Sequence, residues 1–353
     1  MSRFGQGRMV GVATALLGGA VVAAVACSSS QTPRPQPLPE PAICAMPSRR
    51  VAAGTVPSLR GNEWARLLLQ TFQPGIAAGN ARDCTGRAVE WREPEMRCHE
   101  PAELGSVLPQ RPVTDDDVVV QRLQGNLRLV WVMTDRFTNG EAIGPVALAE
   151  FQSERVVVRA VGSLRTYPRR ARLRIETISN QRVLVGEGEL CTEENNPLSC
   201  HRQARLMLLR GDRFVAEPLR SATGRCIGPA RFEFAKESSI TLRDTGWRRS
   251  FELSTALVYR SNGIQIHENV LVQDTDPARP LIPPRVFRRA GQDRAIYVMN
   301  GRFVASDPSL WSRVLADQAR TNTPRDAGTD VPDVPDGDID EITGDFFDAG
   351  VSD

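Results

Sequence analysis

The sequence predicts a mostly β protein: an antiparallel β-sandwich or barrel-like body with short flanking helices, or alternatively a β-propeller-like meander. Three observations carry this expectation. From about Arg87 to Ser306, apolar residues recur with period two in runs rich in Val, Leu and Ile. Tight-turn signals punctuate the runs, Asn262-Gly263 and Asn300-Gly301 foremost, because a type I′ turn needs positive φ at both central residues. No long helical pattern separates the runs, which argues against the alternation of a parallel α/β sheet.

The chain opens with Arg3 and Arg8, then an uncharged run from Met9 to Ala26. The run is long for a signal-peptide core and short for a membrane-spanning helix. The small residues Ala24-Val25-Ala26 stand directly before Cys27, and Ser28 to Ser30 follow. Together these features resemble the lipobox of bacterial lipoprotein precursors, with Ala24 where leucine is usual. The resemblance covers about the first 30 residues. It implies that residues 1–26 are a signal peptide, that Cys27 is the lipid attachment site, and that the body is anchored in the cell envelope. Ser28 after the cysteine is similar to an outer-membrane address rather than an inner-membrane one. Two other readings stand beside it: Ala24-Val25-Ala26 as an ordinary cleavage site releasing a secreted protein, and an uncleaved anchor.

Residues 27–58 are expected to form a Pro-rich linker behind the anchor. Prolines at 33, 35, 37, 39 and 41 fix φ and remove backbone donors, so this stretch should be extended and polyproline-like, a spacer reaching about 3 Å per residue. The body follows at 59–320. It opens on a helix over 62–72, with Asn62 as N-cap and Trp64, Leu67, Leu68 and Phe72 on one face. Strands are expected at 117–123, 126–133, 145–151, 155–161, 171–178, 182–190, 204–209, 213–216, 230–235, 239–242, 251–259, 264–272, 295–299 and 302–305. That is too many for one flat sheet. Gly125-Asn126 and Gly211-Asp212 are further turns. Two segments, 205–219 and 295–310, share a hairpin pattern, which hints at repetition without establishing a period. A last helix over 308–319 has Asp307 as N-cap, Pro308 at its first position, and Leu310, Trp311, Val314 and Leu315 as an apolar stripe. Residues 321–353 have the composition of a disordered acidic tail.

Charge divides unevenly. The chain has 44 basic and 42 acidic residues. Loss of the leader removes Arg3 and Arg8 and no acid, leaving a neutral mature chain. Residues 326–353 hold ten acidic residues and no Lys or Arg, so the body is basic. Lys236 is the only lysine. The arginines are spread through every segment, which points to composition rather than to one phosphate-binding cluster.

Of seven cysteines, assigning Cys27 to lipid leaves an even six in an exported chain, a pattern expected of disulfides. Short loops favour Cys191–Cys200 and Cys84–Cys98, and Cys44–Cys226 then follows by elimination. The alternative, zinc held by Cys84, Cys98-His99, Cys191 and Cys200-His201, has no common ligand spacing. His267-Glu268 sits on a strand, where neighbours face opposite ways. Asp336-Gly337-Asp338-Ile339-Asp340-Glu341 departs from a calcium loop at Glu341, where glycine belongs, and at Phe347, where glutamate belongs. Trp91, Trp131 and Trp247 fit core positions better than a sugar platform. No metal, cofactor or catalytic residue is expected, and nucleic acid is not an expected partner.

These features favour a binding or structural module of the cell envelope over an enzyme. The expected partners are the membrane, through the lipid anchor, and an anionic polymer or acidic protein. An envelope hydrolase with carboxylates assembled in space is the alternative. A third expectation is that the acidic tail competes with an anionic ligand for the basic body.

Overall fold

The computed structural model describes residues 36–47, 59–89, 105–191, 200–314 and 316. The expected signal peptide, Cys27, Trp91, Cys98-His99 and the acidic tail all lie outside them.

The period-two runs form two sheets. The first contains β1 (Cys44–Pro47), β2 (Val118–Arg122), β3 (Leu127–Val132), β4 (Asp135–Arg136), β5 (Ala142–Phe151), β6 (Arg155–Thr166), β7 (Arg169–Ile178), β8 (Gln181–Cys191), β9 (Cys200–Arg210), β10 (Arg213–Val215) and β13 (Arg231–Glu233). The second contains β11 (Leu219–Arg220), β12 (Cys226–Gly228), β14 (Ala235–Thr241), β15 (Arg248–Arg260), β16 (Gly263–Thr275), β17 (Arg285–Met299) and β18 (Arg302–Ala305). The pairings are antiparallel except β10 on β6 and β11 on β18.

The first sheet runs β2-β3-β5-β6-β10-β9-β8-β7 and curls until its edges, β2 and β7, approach each other. The result is a nearly closed barrel, in accord with the barrel-like alternative. Its interior draws one or more apolar side chains from each strand on the path from β3 to β7, including Leu129, Trp131, Val146, Leu148, Leu164, Leu173, Leu184, Met207, Leu209 and Phe214. Filling the interior with side chains is what a barrel of about eight strands permits. Trp131 is core, as expected, and its indole N–H donates to the Leu164 carbonyl at 3.1 Å.

Both outer faces of the barrel are covered. On β3, β5 and β6 the cover is α1 (Gly61–Leu68), which buries Trp64, Leu67 and Leu68 against Val130, Val132, Ile143 and Val158. The helix begins one residue earlier than the expected 62–72, ends at Leu68 so that Phe72 lies outside it, and is not capped by Asn62. Glu63 accepts from the Arg60 N–H at 2.8 Å, and Asp115 accepts from the Gly61 N–H at 2.6 Å. On β8 and β9 the cover is the second sheet: Val183, Val185, Leu206 and Leu208 meet Ile264, Ile266, Ile296, Val298 and Phe303.

Part of the expected spacer lies on the barrel rather than apart from it. β1 pairs with β6, the Gln36 N–H donates to Asn180 O at 2.8 Å, and Leu38 packs against the interior cluster. Cysteine pairing explains the docking. Cys44 is bonded to Cys84, fastening β1 to the loop after α1. This corrects both the Cys84–Cys98 and the Cys44–Cys226 expectations: β1 is a sheet strand, so its cysteine is held beside its structural neighbour rather than free to seek a distant one. Cys191–Cys200 forms as expected, closing the β8–β9 hairpin where the two residues are directly paired. Cys226 is disulfide-bonded as well.

The turns follow the sequence with one shift. Asn300 and Gly301 both have positive φ and connect β17 to β18 in two residues. The β15–β16 loop is Ser261-Asn262, with Gly263 already in the strand, and neither loop residue carries positive φ.

Candidate functional site

Two of the buried carboxylates, Glu141 and Glu268, tie separate elements of the fold together. At one end of the barrel, the turn between β4 and β5 carries Glu141 inward. Its carboxylate accepts from Arg165 at 2.7 Å, Asn139 at 3.0 Å, Arg231 at 3.1 Å and Gln203 at 3.4 Å. Gln203 and Arg205 lie opposite Gly188 and Gly186 on β8, and the space beside those glycines is taken by the Tyr167 backbone and the Leu164 side chain. Burial opposes ionisation of Glu141, but Arg231, Arg165 and the hydrogen bonds outweigh it and hold the carboxyl below its usual range. Burial, then the neighbouring Arg231, push the Arg205 pKa well down. Tyr167, beside this cluster, is pushed up to about 12 by burial and by Glu233 and Glu141.

The second carboxylate is Glu268 on β16. It accepts from Arg294 at 2.8 Å, from the Ser309 hydroxyl at 2.8 Å and from the Leu310 N–H at 2.8 Å. It thereby ties the start of helix α2, which begins at 310, to the sheet. The helix start is capped by Ser309, whose hydroxyl accepts from the Trp311 N–H at 3.2 Å, rather than by Asp307. Leu310 and Val314 pack on Phe251, Leu253, Val270 and Val272. A trough of about 590 Å³ remains beside α2, with Arg288 and Arg313 among its lining residues. A polar cleft of about 220 Å³ near the start of α2 includes Glu233 and Glu268. Both are engaged, Glu233 with Lys236 at 3.5 Å and Glu268 as described.

His267 points away from Glu268, as strand geometry requires. It instead meets Asp293 on the neighbouring strand at 2.7 Å, on an exposed part of the sheet. Glu189, Cys191 and Cys200 come within metal-ligand reach of one another. Both sulfurs are used in the disulfide, so they present no thiolate for zinc.

The distal end of the second sheet is different. There the turn from β14 to β15 and the connection from β16 to β17 lie side by side, because Arg248 pairs with both Thr241 and Thr275, and Asp274 pairs with Arg285. Residues 242–249 and 274–289 carry seven arginines against three aspartates. Leu281 is 98% exposed, Phe287 58%, Ile282 51% and Val286 45%. Trp247 lies in the adjoining turn, half-buried. Four prolines, Pro277, Pro280, Pro283 and Pro284, interrupt the β16–β17 connection. Phe287 is the extra residue of a bulge, since Val272 pairs with Arg288 and Gln273 with Val286. Its ring lies 3.7 Å beneath the Arg249 guanidinium, which also grips Asp274 through two hydrogen bonds of 2.7 and 2.8 Å. Hydrogen bonding from Arg249 holds the Asp274 carboxyl below its usual range.

The sequence reading missed this surface. Its signal is visible in RPLIPPRVFRR, residues 279–289, where apolar residues are framed by prolines and arginines, but charge broke the period-two pattern.

Comparison of the chain with family models, curated proteins and solved structures returns no match.

Proposed function

We propose that this protein is a binding module of the cell envelope, held at the membrane by a lipid on Cys27, that engages an anionic partner through the distal end of its second sheet. The observation that supports the reading most is the concentration of arginine and exposed apolar side chains at that end. Within the body, several arginines are consumed by carboxylates: Arg165 and Arg231 by Glu141, Arg174 by Glu187, Arg213 by Asp83, Arg294 by Glu268. At the distal end Arg248, Arg285, Arg288 and Arg289 are exposed. Guanidinium groups suit phosphate and carboxylate because they bind them in a bidentate fork.

Retention on immobilised polyphosphate as a function of salt tests the binding. Affinity should fall steeply between low and physiological ionic strength, and Arg285→Gln/Arg288→Gln/Arg289→Gln should weaken it about tenfold or more. Retention that ignores both salt and these substitutions would refute the reading. Mass spectrometry of the mature N terminus tests the anchor: a diacylated Cys27 supports it, and an unmodified Cys27 refutes it.

The hydrolase alternative has one supporting observation, the presence of Glu233 and Glu268 in the same polar cleft. Their engagement by Lys236 and Arg294 weighs against it. Glu268 is a structural tie whose loss would release α2.

A further inference from the structure

We infer that the anionic partner is a phospholipid surface, and that the β16–β17 connection enters it with Leu281 and Ile282 foremost. The inference rests on the anionic-partner reading above and names the partner.

Three features of the distal end support it. The first is the order of side chains along the arm. Leu281 and Ile282 lie beyond the last paired row, Asp274 with Arg285. Arg285 stands in that last row, Val286 and Phe287 come next, and Arg288 and Arg289 stand further back on the same strand. Each strand residue advances about 3.3 Å, so Arg285 stands directly behind the apolar tip while Arg288 and Arg289 lie about 10–13 Å behind Arg285, beyond the roughly 5–10 Å to which interfacial segments sink. Apolar groups reach the acyl boundary while arginines remain at phosphate level.

The second is the backbone of the tip. Pro277, Pro280, Pro283 and Pro284 have no N–H. A partner protein docking by strand addition needs a row of free donors and acceptors, which this connection does not offer. The hydrocarbon side of the acyl boundary penalises unsatisfied donors, and the prolines reduce their number at the tip. The remaining loop hydrogen bonds are partly internal: the Arg279 N–H donates to Asp276 O at 3.0 Å and the Ile282 N–H to Arg279 O at 3.0 Å.

The third is the support behind the tip. The stacking of Arg249 on Phe287 and its fork to Asp274 brace the strands just behind the connection. Exposed apolar groups on a braced arm lose little conformational freedom when they bind.

The test uses the chain from residue 27 onward with Cys27→Ser, which retains every described residue and supplies no acyl chain. Binding is measured to vesicles of phosphatidylcholine alone and of phosphatidylcholine with phosphatidylglycerol, and separately to soluble polyphosphate. Two variants are compared, Leu281→Ser/Ile282→Ser and Arg285→Gln/Arg288→Gln/Arg289→Gln. The expected result is partition into the anionic vesicles only. Each variant should weaken it by about tenfold or more, whereas the apolar variant should leave polyphosphate binding unchanged. Polyphosphate binding with no preference for anionic vesicles, or vesicle binding indifferent to the apolar variant, overturns the lipid assignment and leaves the broader reading intact. Failure to bind either probe overturns both.

Discussion

Glu141 and Arg165 meet at 2.7 Å, each with a side chain only 1% exposed, across the end of the barrel. A carboxylate removed from water this fully is tolerated because four side chains donate to it. Glu141→Gln leaves Arg165 and Arg231 without their shared counter-charge and should cost about 3–5 kcal/mol, read as a lower midpoint in urea unfolding. The folded Glu141 pKa lies below its unfolded value. Its stabilising contribution is therefore complete above the ordinary glutamate range and is lost as pH falls through the depressed folded value. Unfolding followed between pH 6 and pH 2 should show a smaller acid-induced loss in the variant than in the parent.

Gly186 and Gly188, opposite Arg205 and Gln203, are approached closely by different neighbours. A methyl at 188 would fall 1.9 Å from the Tyr167 carbonyl oxygen, whereas one at 186 would meet only the Leu164 side chain at 3.1 Å. Gly188→Ala should therefore cost about 1–3 kcal/mol, and Gly186→Ala less. Thermal unfolding of the two variants side by side checks the order; equal melting temperatures would contradict it.

The Cys44–Cys84 bond closes a separation of 40 residues. Cys44→Ser should lower stability by about 2–4 kcal/mol and loosen β1 from β6. Non-reducing peptide mapping should recover Cys44 with Cys84 and Cys191 with Cys200. A Cys84–Cys98 peptide would contradict this arrangement.

Glu268 is the only described carboxylate bonded to the start of α2. Glu268→Ala should raise the hydrogen-exchange rate of the Leu310 and Trp311 amides by tenfold or more while leaving barrel amides protected. Unchanged exchange at Leu310 would show that packing by Leu310 and Val314 suffices.

Much of this architecture can be read from the sequence, and the gaps have physical causes. Periodicity locates β15 and β16 because one face is apolar along most of its length: Phe251, Leu253 and Leu257 on one strand, Ile264, Ile266, Val270 and Val272 on the other. It misses the first ten residues of β17, Arg285 to Arg294. There backbone pairing with β16 maintains the strand while the side chains are largely charged and exposed. The turn Ser179-Asn180, with positive φ at both residues, lacks the glycine that would announce it. Cysteine spacing identifies Cys191–Cys200, whose partners are hairpin neighbours. It fails for Cys44, whose partner is set by the pairing of β1 with β6. Glu141 and Glu268 are single letters in the sequence, and only the fold brings their donors together.

The chain passes from β10 in the barrel to β11 and β12 in the second sheet, back to β13 on β9, and out again to β14. Leu219 of β11 has its parallel partner, Phe303 of β18, near the end of the described body. A chain made from its N terminus therefore carries β11 and β12 without their neighbouring strand until almost everything else has emerged. The second sheet is thus not complete until β18 has joined β11. Entropy of closure over so long a loop makes the joining of β11 to β18 a late event, so a truncation before residue 302 should lose the order of β11 and β12 as well as the missing strand.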